Sequence, residues 1–133
     1  MAGRWGQEYA LDYISLAIPI SWLTECVVTP QFSAWYEGLD DGDTDAVYLV
    51  VSLLEAKGTN LPYPYSSAIK GSSVAMRELR VQSGGRPLRI LYAFDPKRQA
   101  LLLLGGDKTG DDRFYERMIP EAERLWRDYL LNL

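Results

Sequence analysis

The chain has 133 residues, is 47% hydrophobic, and carries a formal charge of −4 from 14 Lys+Arg against 18 Asp+Glu, with no histidine. That length suits one domain whose core needs no disulfide or metal staple. The lack of histidine excludes Ser-His-Asp and Cys-His catalysis and His-ligated metal sites, and the single Cys26 excludes an internal disulfide or a CxxC clip.

Residues 11–23 are fairly apolar, but no run reaches the roughly 20 residues of a membrane span. Glu8 and Asp12 stand where a signal peptide needs positive charge, and no small-x-small cleavage site follows. Residues 1–26 therefore read as an N-terminal extension, helical or poorly ordered, and a cytoplasmic location is expected. Residues 26–29 read as a short strand. Thr29-Pro30 supplies an N-cap and a proline at N1, and Phe32, Trp35, Tyr36 and Leu39 recur at helical spacing, which predicts a helix over 30–39. Residues 40–43 form a turn. Asp43 or Thr44 caps a second helix with Val47, Val50, Val51 and Leu54 on one face, ended by Gly58. Residues 60–65 (NLPYPY) are loop.

The periodicity then changes to two. Residues 75–82 and 87–94 read as strands joined by a hairpin turn at Ser83-Gly84-Gly85. After a turn at 95–98, residues 100–105 form a strand apolar on both faces, hence central or covered by helix. A loop at 105–110 leads to a last helix from Asp112 to about Leu131. Its apolar stripe is Tyr115, Met118, Ile119, Ala122, Trp126 and Tyr129. Arg117–Glu121 and Arg124–Asp128 are expected as i,i+4 pairs, and Pro120 predicts a kink or a late start. Helices preceding an antiparallel meander indicate the α+β class.

The charge is unevenly distributed. Residues 27–60 hold one Lys against six acids, a local −5, whereas residues 61–110 hold eight Lys+Arg against three acids, a local +5. The overall acidity therefore does not exclude an RNA partner. Three motif resemblances fail on spacing. Ser67-x-x-Lys70 with Lys108-Thr109-Gly110 lacks the S-D-N element and the chain length of a penicillin-binding enzyme. Lys108-Thr109 lacks the glycines of a P-loop, and Asp41, Asp43 and Asp45 lack the glycine and terminal glutamate of a calcium loop.

The arginines are better candidates. Hairpin pairing can set Arg80 and Arg89 on one sheet face, with Lys70, Arg86 and Lys108 adding a basic patch beside aromatics. Such a patch suits phosphate contacts and base stacking. Either arginine alone reads equally as an ordinary surface residue, or as the ion-pair partner of Glu78. Tyr115 reads as core unless Phe114 takes the core position and frees it.

Taken together, Ile69-Lys70-Gly71, Glu78-Leu79-Arg80, residues 85–92 (GRPLRILY), residues 103–110 (LLGGDKTG), Phe114-Tyr115 and Phe32-x-x-Trp35 resemble the phage-derived HigB-like branch of the RelE/ParE toxin superfamily. The resemblance covers residues 27–130 and implies a toxin domain over 27–133. It implies a RelE-like α+β fold, with two N-terminal helices packed on a small antiparallel sheet and a C-terminal helix. It also implies an mRNA-cleaving toxin acting on the ribosome, neutralised by an antitoxin, expected to be a helix-turn-helix protein. Matching positions imply that Arg80, Arg89, Lys108 and Tyr115 are catalytic. Lys70, Arg77 and Arg86 are the accompanying RNA-contact candidates. Transphosphorylation by the RNA's own 2′-OH needs neither metal nor small-molecule cofactor. Arg80 and Arg89 would hold the phosphate, Lys108 would stabilise charge or exchange a proton, and Tyr115 would orient or deprotonate the 2′-OH or stack on a base. With no histidine the base stays open, because an unperturbed tyrosine near pKa ~10 is a weak base at neutral pH. Two alternatives stand beside this one: a ParE-like gyrase inhibitor acting by protein contact, and a non-enzymatic binding module.

Overall fold

The computed structural model describes residues 22–133, so the expectation for the first 26 residues falls, apart from Trp22–Cys26, outside the described residues. In chain order the elements are β1 (Cys26–Val28), α1 (Pro30–Glu37), α2 (Asp41–Lys57), a 3-10 turn (Gly58–Asn60), β2 (Ser66–Ala68), β3 (Arg77–Ser83), β4 (Arg86–Phe94), β5 (Ala100–Asp107) and α3 (Phe114–Leu131). The strands form one sheet in the order β1-β5-β4-β3-β2. The class is α+β, as expected. The sheet is mixed rather than wholly antiparallel, because β1 lies parallel to β5. β2 is an addition: three residues are too few to show a period of two, and its pairing with β3 is what makes it a strand. Both edge strands are only three residues long, which leaves little open edge for another chain to pair with.

The sheet divides the core into two layers. On one face α1 and α2 bring Phe32, Tyr36, Val47, Val51 and Leu54 onto Leu79, Val81, Leu88, Ile90, Tyr92 and Leu102. On the other, α3 brings Phe114, Ala122 and Leu125 onto Leu91, Leu101 and Leu103. β5 is apolar on both faces because it is a central strand that feeds both layers. All the expected α3 stripe residues pack into the second layer.

Local signals explain the framework. Thr29 Oγ1 accepts from the Phe32 N–H at 3.0 Å and donates to the Leu103 carbonyl at 2.7 Å, so one hydroxyl caps α1 and ties it to β5. The β3–β4 turn is Gly84-Gly85, with φ of +57° and +76°, the left-handed pair that a two-residue hairpin of matching twist requires. A bulge between Leu91 and Tyr92 pairs them with Leu104 and Leu102 and skips Leu103.

Three expectations are corrected. The cap of α2 is Asp40, which accepts from the Asp43 N–H at 2.8 Å, and the helix starts at Asp41. Asp43 is unavailable as a cap because its side chain is engaged with β3 and β4. Arg117 does not pair with Glu121. It bonds Asp111 at 2.6 Å, across the start of α3, while Glu121 bonds Arg124, which also reaches Asp128 at 3.0 Å as expected. Helix α3 starts at Phe114, six residues before Pro120, and runs through it as one element, so Pro120 does not set the start of the helix. Among the described residues, no helix is long and apolar enough to cross a membrane.

Candidate active site

The sheet face under α3 is apolar along β5 and charged along β3. Alternation on β3 turns Glu78 and Arg80 away from Leu79 and Val81, which belong to the α1/α2 layer. Register then sets Arg80 directly opposite Arg89 on β4, and Glu78 opposite Ser67 on β2. Like charges facing each other across a ladder repel. Glu78 supplies the compensating charge. Its Oε2 lies 3.4 Å from Arg80 Nη1 and its Oε1 lies 3.8 Å from Arg89 Nε.

Glu78 is the centre of the cluster. Its Oε1 accepts from the Tyr115 hydroxyl at 2.5 Å and its Oε2 accepts from Ser67 Oγ at 2.9 Å. Arg89 is 4% exposed, donates from Nη1 to the Leu88 carbonyl at 3.0 Å, and keeps a buried Nε–H with no hydrogen-bond partner. A buried guanidinium of this kind persists only beside a carboxylate, because an unpaired buried charge costs several kcal/mol.

Phe114 takes the core position at the start of α3, 2% exposed, and leaves Tyr115 half-buried with its hydroxyl on Glu78. Burial, and then the hydrogen bond and charge of Glu78, push the Tyr115 hydroxyl up to about 12. It is therefore protonated at neutral pH and acts as a donor, not as a ready base. Lys108 follows β5 and is anchored by its backbone N–H on the Pro87 carbonyl at 3.0 Å. Its ammonium lies 5.2 Å from the centre of the Tyr115 ring. The two glycines before it are required by packing. A β-carbon on Gly105 would overlap the Trp35 ring from α1, and one on Gly106 would crowd Phe114.

Arg80, Arg89, Lys108 and Tyr115 thus form one constellation. The three other basic candidates do not join it. Arg77 shares the α1/α2 face with Leu79, where its Nε donates to Ser66 Oγ at 3.0 Å. Arg86 is paired with Asp43 of α2 and lies 3.3 Å from Asp107. Arg86 holds the Asp43 carboxyl below its usual range, with help from Ser83. Lys70 is exposed beyond β2, and makes no contact with the cluster among the described residues. The basic patch expected from composition is therefore split between two faces of the sheet.

Two residues of the cluster were not named as site residues from sequence. Glu78 carried a readable signal, since alternation sets it on the face of Arg80. Ser67 carried none, because the strand that holds it is invisible in the pattern.

Comparison with known proteins gives two kinds of match. Residues 34–127 fit the family model of phage-derived Gp49-like proteins. Two Mycobacterium tuberculosis proteins, whose names describe them as candidate toxins HigB3 and HigB2, are also similar. The first is 39% identical over 108 residues, covering 80% of this chain and 93% of that protein. The second is 38% identical over 103 residues, covering 75% of this chain and 51% of that protein, so the match spans about half of its length.

Proposed function

Because the chain belongs to the phage-derived Gp49-like family, with relatives named for HigB toxins, we propose that it is the toxin of a type II toxin–antitoxin system, an endoribonuclease that cleaves mRNA on the ribosome and so inhibits translation. The observation that carries the reading is the Arg80–Glu78–Arg89 cluster, closed by Tyr115 and flanked by Lys108. In the proposed reaction the RNA 2′-oxygen attacks the adjacent phosphorus while the bond from phosphorus to the 5′-oxygen breaks. The products are a 2′,3′-cyclic phosphate and a free 5′-hydroxyl.

Each residue type suits one part of that step. Arg80, the more exposed of the two arginines, is a permanently charged planar donor for the phosphoryl oxygens, and the buried Arg89 adds positive charge beneath them while holding Glu78 in place. Glu78 is the carboxylate in contact with both arginines and with Tyr115, and it takes the proton of the 2′-OH. Tyr115, held protonated, fixes the position of that carboxylate. Lys108 returns a proton to the leaving 5′-oxygen. No metal enters the scheme. A cognate antitoxin of helix-turn-helix type neutralises the protein. The acidic α1/α2 side lies across the sheet from the cluster and weakens binding to free RNA, which leaves presentation of the substrate to the ribosome.

The test is cleavage of mRNA on programmed ribosomes. Arg80→Ala and Glu78→Gln are each expected to slow cutting by about 100-fold, the usual scale for one phosphate donor or one proton acceptor. Wild-type protein that leaves mRNA intact, while its expression causes DNA damage, would refute the ribonuclease and favour gyrase inhibition.

A further inference from the structure

Beside the cluster stands a feature that the proposed chemistry does not use. Tyr63 lies between Pro62 and Pro64 in the loop before β2 and is 69% exposed. This ring is in a defined place. The Arg80 guanidinium lies 5.1 Å from its centre. The loop itself is fixed: the Tyr65 and Ser66 N–H groups donate to the Pro62 carbonyl at 3.0 and 3.1 Å, and the Arg80 N–H donates to the Tyr65 carbonyl at 2.8 Å. Leu61 anchors the loop in the first core layer. One bond beyond the β2–β3 ladder, Tyr65 stands opposite Arg80 and is 41% exposed, so a second ring borders the same rim.

The geometry points to Tyr63 as a stacking platform for a nucleobase of the RNA next to the scissile phosphate. One side of the ring faces Arg80, and the high exposure leaves the remainder open to a planar ligand. Arg80 joins the two subsites, since its guanidinium touches both the ring and the Glu78 carboxylate at the reacting centre. A nucleotide whose phosphate sits on Arg80 brings its own or a neighbouring base within reach of the ring. The flanking prolines restrict the backbone before binding, so little freedom is lost when a base docks. Stacking of this kind tolerates any base, because every base presents a π-face. The inference rests on the mRNA-cleavage reading and adds a substrate-binding subsite to it.

The experiment compares Tyr63→Ala, Tyr63→Phe and wild type in ribosome-programmed cleavage, with kcat and KM measured separately and the cut positions mapped. Binding of the protein to ribosomes programmed with a 2′-deoxy-substituted mRNA, which cannot be cut, is measured in parallel. Tyr63→Ala is expected to raise KM and weaken that binding about tenfold and to leave kcat within about twofold. Tyr63→Phe, which keeps the ring, is expected to restore the wild-type KM. Thermal midpoints should coincide, because the ring is mostly in solvent. A Tyr63→Ala protein with wild-type KM and cut pattern overturns the platform. So does a loss confined to kcat, which would mean that Tyr63 only positions Arg80, and so does a Tyr63→Phe protein as impaired as Tyr63→Ala. Wild-type protein that fails to cut mRNA overturns the cleavage reading and the platform with it, whereas wild type that cuts while Tyr63→Ala is unchanged overturns the platform alone.

Discussion

Replacing Glu55 by glutamine should stabilise the protein at neutral pH and remove most of one pH-dependent component of its stability. Glu55 lies near the end of α2, 2% exposed, facing the first core layer, and its Oε1 has no hydrogen-bond partner among the described residues. Burial pushes its carboxyl from 4.5 up to about 9. The folded protein therefore keeps a proton that the unfolded chain releases above about pH 4.5, and stability falls as pH rises from there towards about 9. At pH 7 the interval from 4.5 is about 2.5 pH units, and at about 1.4 kcal/mol per unit this amounts to about 3 kcal/mol. That is a large share of the roughly 5–15 kcal/mol that holds a domain of this size together. Glutamine has nearly the same shape and cannot ionise. The assay is urea unfolding of both proteins at pH 4, 5.5, 7 and 8.5. The midpoints should coincide near pH 4 and separate progressively, with the variant more stable by about 3 kcal/mol at pH 7. The acidic groups on the rest of the chain are common to both proteins, so the difference isolates Glu55. Parallel pH profiles, or a variant less stable at pH 7, would refute the reasoning.

Gly105→Ala should lower the thermal midpoint by several degrees, because the new methyl overlaps the Trp35 ring and overpacking of this kind costs about 1–3 kcal/mol. Adding Trp35→Leu to that variant should recover part of the loss, and differential scanning calorimetry checks both. Arg86→Ala should lower stability at neutral pH while leaving mRNA cleavage per folded molecule within about twofold, since Arg86 serves Asp43 on the far face of the sheet. The stability difference should shrink as pH falls below 3.8 through the lowered value of Asp43, because a depressed carboxyl contributes only where it is ionised. An Arg86→Ala protein that folds normally but cannot cut would return Arg86 to the RNA-contact surface.

The sequence by itself determined the local geometry of the hairpin. Alternation along residues 77–83 and 86–94, with two glycines between them, leaves a single parity, and that parity sets Arg80 and Arg89 on one face. The same parity already separated Arg77 from Arg80, so the position of Arg77 on the opposite face was legible too. The helix period of residues 30–57 and the two-sided apolar run of β5 were equally readable, because backbone period is a short-range property of which positions must be covered.

Only the tertiary structure decided the rest. Ser67 reaches Glu78 through a three-residue strand that exists only because β3 is beside it. Tyr115 meets Glu78 across 37 positions of sequence, and Asp43 meets Arg86 across 43. Which acid neutralises which arginine depends on how α2 and α3 seat on opposite faces of the sheet. That seating follows from the fit of Phe32, Trp35 and Phe114 against the strands. Alternation already set Arg86 and Arg89 on opposite faces of their strand; packing decided that Arg89 meets Glu78 under α3 and that Arg86 meets Asp43 of α2.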